Sequence, residues 1–199
     1  IPFFMMVVFA FKMVRERRLE HGNQIALTWA LGTAVMAFLG AGVWGFIHTL
    51  APVNYYTHGS QITAAHGHLA FFGAYSMIVM TIISYAMPIM RGRPQGNCLR
   101  AQKLERVAFW TMCLSMLGIT LALTVAGVWQ IILQRLPDDA NALSFMATQE
   151  QLHPIFWVRL ACGVTFTSGV AMYFTSFFVG DAKGLAVDED YAMQNASYE

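Results

Sequence analysis

The residues most capable of chemistry are two histidines in the run Ala64-Ala65-His66-Gly67-His68. The run lies in an apolar stretch long enough to cross a bilayer, where an imidazole is costly without a partner and by default marks a functional site. Residues two apart on an α-helix are separated by about 200° around its axis. His66 and His68 therefore point to opposite sides and cannot share a ligand, since ligands to one ion on a helix recur at i, i+3 or i, i+4. One helix would serve two sites, one on each flank, as in a helix sandwiched between two haems that each take one axial imidazole. Gly67 keeps the backbone between them uncrowded, Ala64, Ala65 and Ala70 leave room for large planar groups, and the aromatic pair Phe71 and Phe72 follows. The plainer alternative is that each imidazole bonds a serine, a carbonyl or a water across a helix interface. Two opposed histidines flanking a glycine are harder to explain in that way than one would be.

The elements that position these residues follow from composition. Of 199 residues, 57% are hydrophobic and only 12% charged, with a mean hydropathy of +0.51, which is too apolar for an ordinary soluble domain. A bilayer core needs about 20 apolar residues of helix. Five stretches meet or approach that length, at roughly 1–14, 25–50, 61–90, 107–136 and 154–179. They are continuously apolar and do not alternate, which favours helices over a barrel. The expected fold is all-α, a polytopic bundle forming one transmembrane domain over 1–199, with its first span truncated. Ile1 opens directly into an apolar run without an initiator Met or a recognisable signal peptide, so the chain reads as a fragment whose N-terminal part is absent.

Arg15, Arg17 and Arg18 follow the first span, and Arg91, Arg93, Arg100, Lys103 and Arg106 lie between the third and fourth. Those connections are expected on the cytoplasmic side, and the tail 180–199 with them. The connections 51–60 and 137–153 contain no Lys or Arg and face outward. His66 and His68 would then lie only about 8 to 11 Å below the outer end of their helix, placing any cofactors near the periplasmic side. The eleven acidic residues all fall outside these spans, leaving no carboxylate relay from the cytoplasm. Small residues at every fourth position of the second span, Thr33, Ala37, Ala41 and Gly45, form a stripe that lets helix backbones approach closely. A net charge of +1 leaves no basic surplus to track a phosphate backbone, so nucleic acid is an unsuitable partner. Cys98, Cys113 and Cys162 have no ligand spacing, and two of them sit in apolar runs as packing residues.

The outer loop Ala51-Pro-Val-Asn-Tyr-Tyr-Thr-His-Gly-Ser60 carries several donors. His58, Asn54, Tyr55 or Tyr56 could hold haem propionates or serve as ordinary interfacial anchors. Arg159, placed about one turn into the last span, could pair with a propionate or snorkel to the interface. His48 and His153 fall at outer helix ends where interface contacts suffice, and His21 lies in a cytoplasmic loop.

The run Val53-Asn-Tyr-Tyr-Thr-His-Gly-Ser-Gln-Ile-Thr-Ala-Ala-His-Gly-His-Leu-Ala-Phe-Phe-Gly-Ala-Tyr75 resembles the tenth transmembrane helix, with its preceding loop, of the large cytochrome b subunit of bacterial cytochrome c-dependent nitric oxide reductases, in the haem-copper oxidase superfamily. Ser84-Tyr-Ala-Met-Pro88, Gly127-Val-Trp-Gln130 and Phe145-Met-Ala-Thr-Gln149 fit the same family. The resemblance implies helices eight to twelve of a twelve-helix subunit of the bacterial inner membrane. It further implies that His66 is the axial ligand of a high-spin haem b3, that His68 is one axial ligand of a low-spin haem b, and that Phe71 lies between the haems. The family reduces two nitric oxide molecules to nitrous oxide and water, with electrons reaching its cytochrome c subunit from a periplasmic donor. Its non-haem iron would be held by residues outside this chain. Other readings stay open on the residues alone: an oxygen reductase with copper beside the high-spin haem, a quinol-fed relative, or a non-catalytic diheme cytochrome b. The last would usually space its two haems across the membrane, whereas His66 and His68 share one depth.

Overall fold

In the computed structural model, which describes residues 2–16, 23–93, 97–137 and 140–180, Asn23 both starts a helix and ties it to another. Its side-chain oxygen accepts from Ala26 N at 3.1 Å, and its Nδ2 donates to Ser84 O at 2.8 Å. A short helix α1 (Pro2–Glu16) precedes it. From Asn23, α2 (Gln24–Ala37) runs through a π-helical turn, Phe38–Trp44, into α3 (Gly45–Thr49). Leu50, extended at ψ 117°, breaks the run before α4 (Ala51–Thr57), which opens on Pro52 where a missing N–H costs nothing. Gly59, at φ +70°, reverses the chain, and Ser60 caps α5 (Gln61–Phe71) by accepting from Ile62 N. A second π-helical turn, Phe72–Ser76, joins α5 to α6 (Met77–Met90). Then follow α7 (Leu99–Gln134) and α8 (Phe145–Ser176), the latter capped by Ser144.

Among the described residues every regular element is helical, and four helical stretches are long and apolar enough to cross a membrane: Gln24–Thr49, Gln61–Met90, Leu99–Gln134 and Phe145–Ser176. The first expected span is the 15-residue α1, shorter than the ~20 residues a bilayer core needs; it packs on the second span, with Phe4 and Phe38 rings 5.9 Å apart. The helices α7 and α8 start earlier than hydropathy suggests, at 99 instead of 107 and at 145 instead of 154. Hydropathy marks the membrane core, whereas a helix that satisfies its own backbone can continue past it into the polar interface.

That extension carries Glu105, which the expected span 107–136 leaves outside the bundle, into α7, where it is fully buried. Its Oε1 accepts from Trp29 Nε1 at 3.1 Å and from the Ser84 hydroxyl, while the Tyr173 hydroxyl lies 3.0 Å from Ser84 Oγ and donates to Met80 O at 2.8 Å. One carboxyl group thus links α2, α6, α7 and α8. Trp29 also packs edge-on against Phe109 and Tyr173, with centroids 5.0 and 5.2 Å apart. The outward faces remain apolar, as lipid-facing surfaces do, with Leu121 and Trp157 more than half exposed.

At the other end, Gln130 Oε1 accepts from Gln61 N at 3.0 Å and its Nε2 donates to Gln134, which donates in turn to Thr148. This ladder aligns the starts of α5 and α8 with the end of α7. A Cβ at Gly127 would lie 2.4 Å from Ile62 N, so α5 and α7 touch backbone to backbone there. The stripe at Thr33 and Ala37 does face other helices, with Ala37 buried and Thr33 Oγ1 3.4 Å from Thr81 Oγ1. Beyond Ala37 the π turn breaks its four-residue period, and the closest approaches pass to Gly40 and Gly73.

Candidate haem-ligand helix

His66 and His68 leave α5 toward different neighbours. His66 Nδ1 lies 3.1 Å from Gly40 O in the first π turn. A π turn carries one residue more than the α-helical repeat, disturbs the regular hydrogen-bond ladder and occurs often at functional sites. Here it turns a main-chain carbonyl toward the imidazole. The approach needs glycine, since a Cβ on Gly40 would lie 2.6 Å from Ala70 N and one on Gly73 would lie 2.5 Å from Met36 C. The two π turns therefore lie against each other's helices with no side chain between. His66 also stacks on His48, with ring centroids 5.0 Å apart and planes 26° from parallel. His48 Nδ1 is 2.8 Å from Trp44 O, and its buried Nε2 has no hydrogen-bond partner.

His68 Nδ1 is held by its own helix, 2.8 Å from Ala64 O one turn back. Its ring lines a groove of about 490 Å³ with Gly67, Phe71, Phe72, Met116 and Phe166. Phe72 and Phe166 meet edge to face at 5.4 Å across this groove. A Cβ added to Gly67 would meet nothing within 4 Å, so the glycine leaves its face of the helix open. Phe71, 67% exposed, lies on this His68 side beside Tyr75, with centroids 5.6 Å apart.

The two imidazoles share a donor pattern. A backbone carbonyl at Nδ1 fixes the tautomer with the proton on Nδ1 and makes Nε2 the nitrogen free to bind a metal, the usual supporting arrangement of a ligating histidine. His66 and His68 therefore fit axial ligation of two separate irons. Of the carbonyl bonds across a helix interface anticipated by the packing alternative, His66 makes one and His68 does not, and in both residues the carbonyl engages Nδ1 alone. Among the described residues no three His, Cys, Asp or Glu side chains converge to hold a further metal ion.

The remaining candidate residues sit elsewhere. The segment holding Asn54 and Tyr55 is the helix α4 and not an open loop, and His58 is its C-cap. All three are exposed. Arg135, at the end of α7, donates to the carbonyls of Tyr55, Tyr56 and His58, pinning α4 over the start of α5. Arg135 was passed over in the sequence, where the signal was a lone cation at a membrane face otherwise free of Lys and Arg. Arg159 is exposed and lies 14 residues into α8, about 21 Å along its axis instead of one turn. His153 is likewise inside α8, 6.0 Å from Trp157. His21 lies outside the described residues. The Gly40 carbonyl and the His48 ring were also missed, because neither a π turn nor a stacked pair has a sequence signature.

The family model described as "Cytochrome C and Quinol oxidase polypeptide I" matches residues 1–165. Over 177 residues the chain is 62% identical to a nitric oxide reductase subunit of Stutzerimonas stutzeri, covering 89% of this chain and 37% of that protein. It is 26% identical over 138 residues to a cbb3-type cytochrome c oxidase subunit of the same organism, covering 68% of this chain and 28% of that protein. It is 28% identical over 137 residues to a cytochrome c oxidase subunit 1 homolog of Agrobacterium tumefaciens (strain T37), covering 67% of this chain and 25% of that protein. The chain thus spans between a quarter and little more than a third of the length of the curated relatives it matches.

Proposed function

The chain belongs to the cytochrome c and quinol oxidase polypeptide I family of membrane oxidoreductases, and from that premise we propose that it is the haem-carrying portion of the catalytic subunit of a cytochrome c-dependent nitric oxide reductase. The observation that carries the reading is the pair of imidazoles on opposite flanks of α5, each held through Nδ1 by a backbone carbonyl. The 62% identity to the Stutzerimonas stutzeri nitric oxide reductase chain supports it. In this reading His66 is the axial ligand of a high-spin haem b3 and His68 one axial ligand of a low-spin haem b. The protein is a multi-pass component of the bacterial inner membrane with its haems toward the periplasm.

Two haems, together with a non-haem iron held by other parts of the complete protein, would supply one-electron transfer and the metal surface for converting two nitric oxide molecules, with two electrons and two protons, to nitrous oxide and water. Electrons would come from a periplasmic donor through a cytochrome c subunit. This chain's own residues hold and orient. Gly40 O and Ala64 O fix the two imidazole tautomers, and Gly67, Phe71, Phe72 and Phe166 present an apolar wall to the His68-bound group. At the outer end, His58, Asn54 and Tyr55 are proposed to contact haem carboxylates. Arg135, bonded to that segment, takes the cationic part that spacing alone suggests for Arg159.

Haem and metal content of the intact, purified complex tests the reading. Two b haems with one further iron and no copper support it; copper in place of that iron would move the protein to the oxygen reductases, and no further metal would leave an electron-transfer cytochrome. His66→Ala should remove the high-spin haem signal and His68→Ala the low-spin signal. Survival of both signals in either variant would refute the ligand assignment.

A further inference from the structure

The outward face of α7 carries two surface troughs that run into each other. The first, of about 500 Å³, is lined by Lys103, Arg106, Val107, Trp110, Thr111 and Leu114. The second, of about 360 Å³, shares Trp110 and Leu114 with it and continues between α1, α2 and α7 past Phe11, Leu31, Val35 and Leu117. Positions 103, 106, 107, 110 and 114 recur at helical spacing and form one stripe, polar only at its first turn. Lys103 and Arg106 are exposed, and among the described residues no carboxylate pairs with either. Glu105 between them points the opposite way, buried and bonded to Trp29 and Ser84. Arg15, Arg91, Arg93 and Arg100 lie at or near helix ends at the same end of the bundle.

We propose that this face is a binding site for one anionic phospholipid, its phosphate between Lys103 and Arg106 and an acyl chain laid along Trp110 and Leu114 into the trough between α1 and α7. Charge complementarity selects the occupant. Two cations with no carboxylate partner among the described residues, at the head of an otherwise apolar furrow, match a negatively charged headgroup above a hydrocarbon chain, and a zwitterionic lipid or a neutral protein segment leaves them uncompensated. Trp110, 56% exposed a turn below Arg106, has the amphipathic ring that settles at the headgroup boundary. The site lies on a different face from His66 and His68 and stands whether or not the proposed reaction is correct.

The test uses the full purified complex with spin-labelled phosphatidylglycerol and phosphatidylcholine, reading the motionally restricted fraction of each. The expected result is a preference for phosphatidylglycerol on the order of tenfold. It should fall to near parity in the Lys103→Gln/Arg106→Gln double variant, with the haem absorbance unchanged as a check on folding. Leu114→Trp, which fills the furrow and leaves both cations, should weaken retention of both lipids. Equal retention of the two lipids by the wild type, as when another segment of the complex fills the furrow, would overturn the proposal. So would a preference that survives both variants.

Discussion

Substituting Gly40→Ala is the most exacting probe of the site. The added Cβ would lie 2.6 Å from Ala70 N and from Leu69 C, whereas ordinary contact begins at 3.4 Å. The obstacles are main-chain atoms of α5, so no side chain can rotate away, and the two backbones must part by about 0.8 Å. Overpacking of this kind costs about 1–3 kcal/mol. The same movement stretches the 3.1 Å contact between Gly40 O and His66 Nδ1 to about 3.9 Å, beyond hydrogen-bonding range. Losing that bond costs about 0.5–1.5 kcal/mol more, for a total of roughly 1.5–4.5 kcal/mol. The assay has two readouts on the purified complex: the thermal midpoint should fall, and the iron–imidazole stretching band of the high-spin haem proposed on His66 should shift to lower frequency in the resonance Raman spectrum as the imidazole loses basicity. Gly45→Ala is the control, because its Cβ would meet only His66 Cε1 at an ordinary 3.6 Å, and both readouts should stay near wild type. A Gly40→Ala complex with the wild-type midpoint and an unshifted band would refute the reasoning.

Two further outcomes follow from the same geometry. Gly67→Ala meets no described atom within 4 Å yet faces the His68 groove, so it should leave the thermal midpoint unchanged or slightly raised through its better helix propensity, by up to about 1 kcal/mol, while lowering total haem b in the pyridine haemochrome assay and weakening the low-spin absorbance band of the intact complex; full haem content would mean that no planar group lies on that face. Glu105→Ala removes the shared acceptor of Trp29 and Ser84 from a fully buried position and should lower stability by about 2–4 kcal/mol, whereas Glu105→Gln, which keeps an acceptor there, should lose about 1 kcal/mol or less, as read from denaturation midpoints in detergent; equal losses would show that the cluster does not depend on that acceptor.

The helical architecture was legible because lipid allows few alternatives: long apolar runs must satisfy their backbones internally, and their basic flanks mark the ends. The division of His66 and His68 was legible as well, since two residues of helix always separate side chains by more than half a turn. What escaped notice was set by contacts between distant segments. Glu105 lies just outside an apolar run, and only the continuation of α7 to Leu99 brings it among Trp29, Ser84 and Tyr173. The π turn at Phe38–Trp44 looks like any other apolar helix in sequence. Its glycine becomes informative once the backbone of α5 is known to lie against it. The segment 51–60 read as a loop because Pro, Gly and polar residues crowd it, yet Pro52 falls where a helix accepts proline and Arg135 supplies the partners its last carbonyls need.

The different anchors of the two imidazoles have a mechanical consequence. His68 is tethered to Ala64 on its own helix and moves with α5 as one rigid body. His66 is tethered to Gly40 on a separate transmembrane segment, so its ring orientation records the position of the Phe38–Trp44 turn relative to α5. A small slide or tilt between those segments would turn the His66 ring and leave the His68 ring undisturbed. Strain arriving through the bundle can therefore retune one flank of α5 independently of the other.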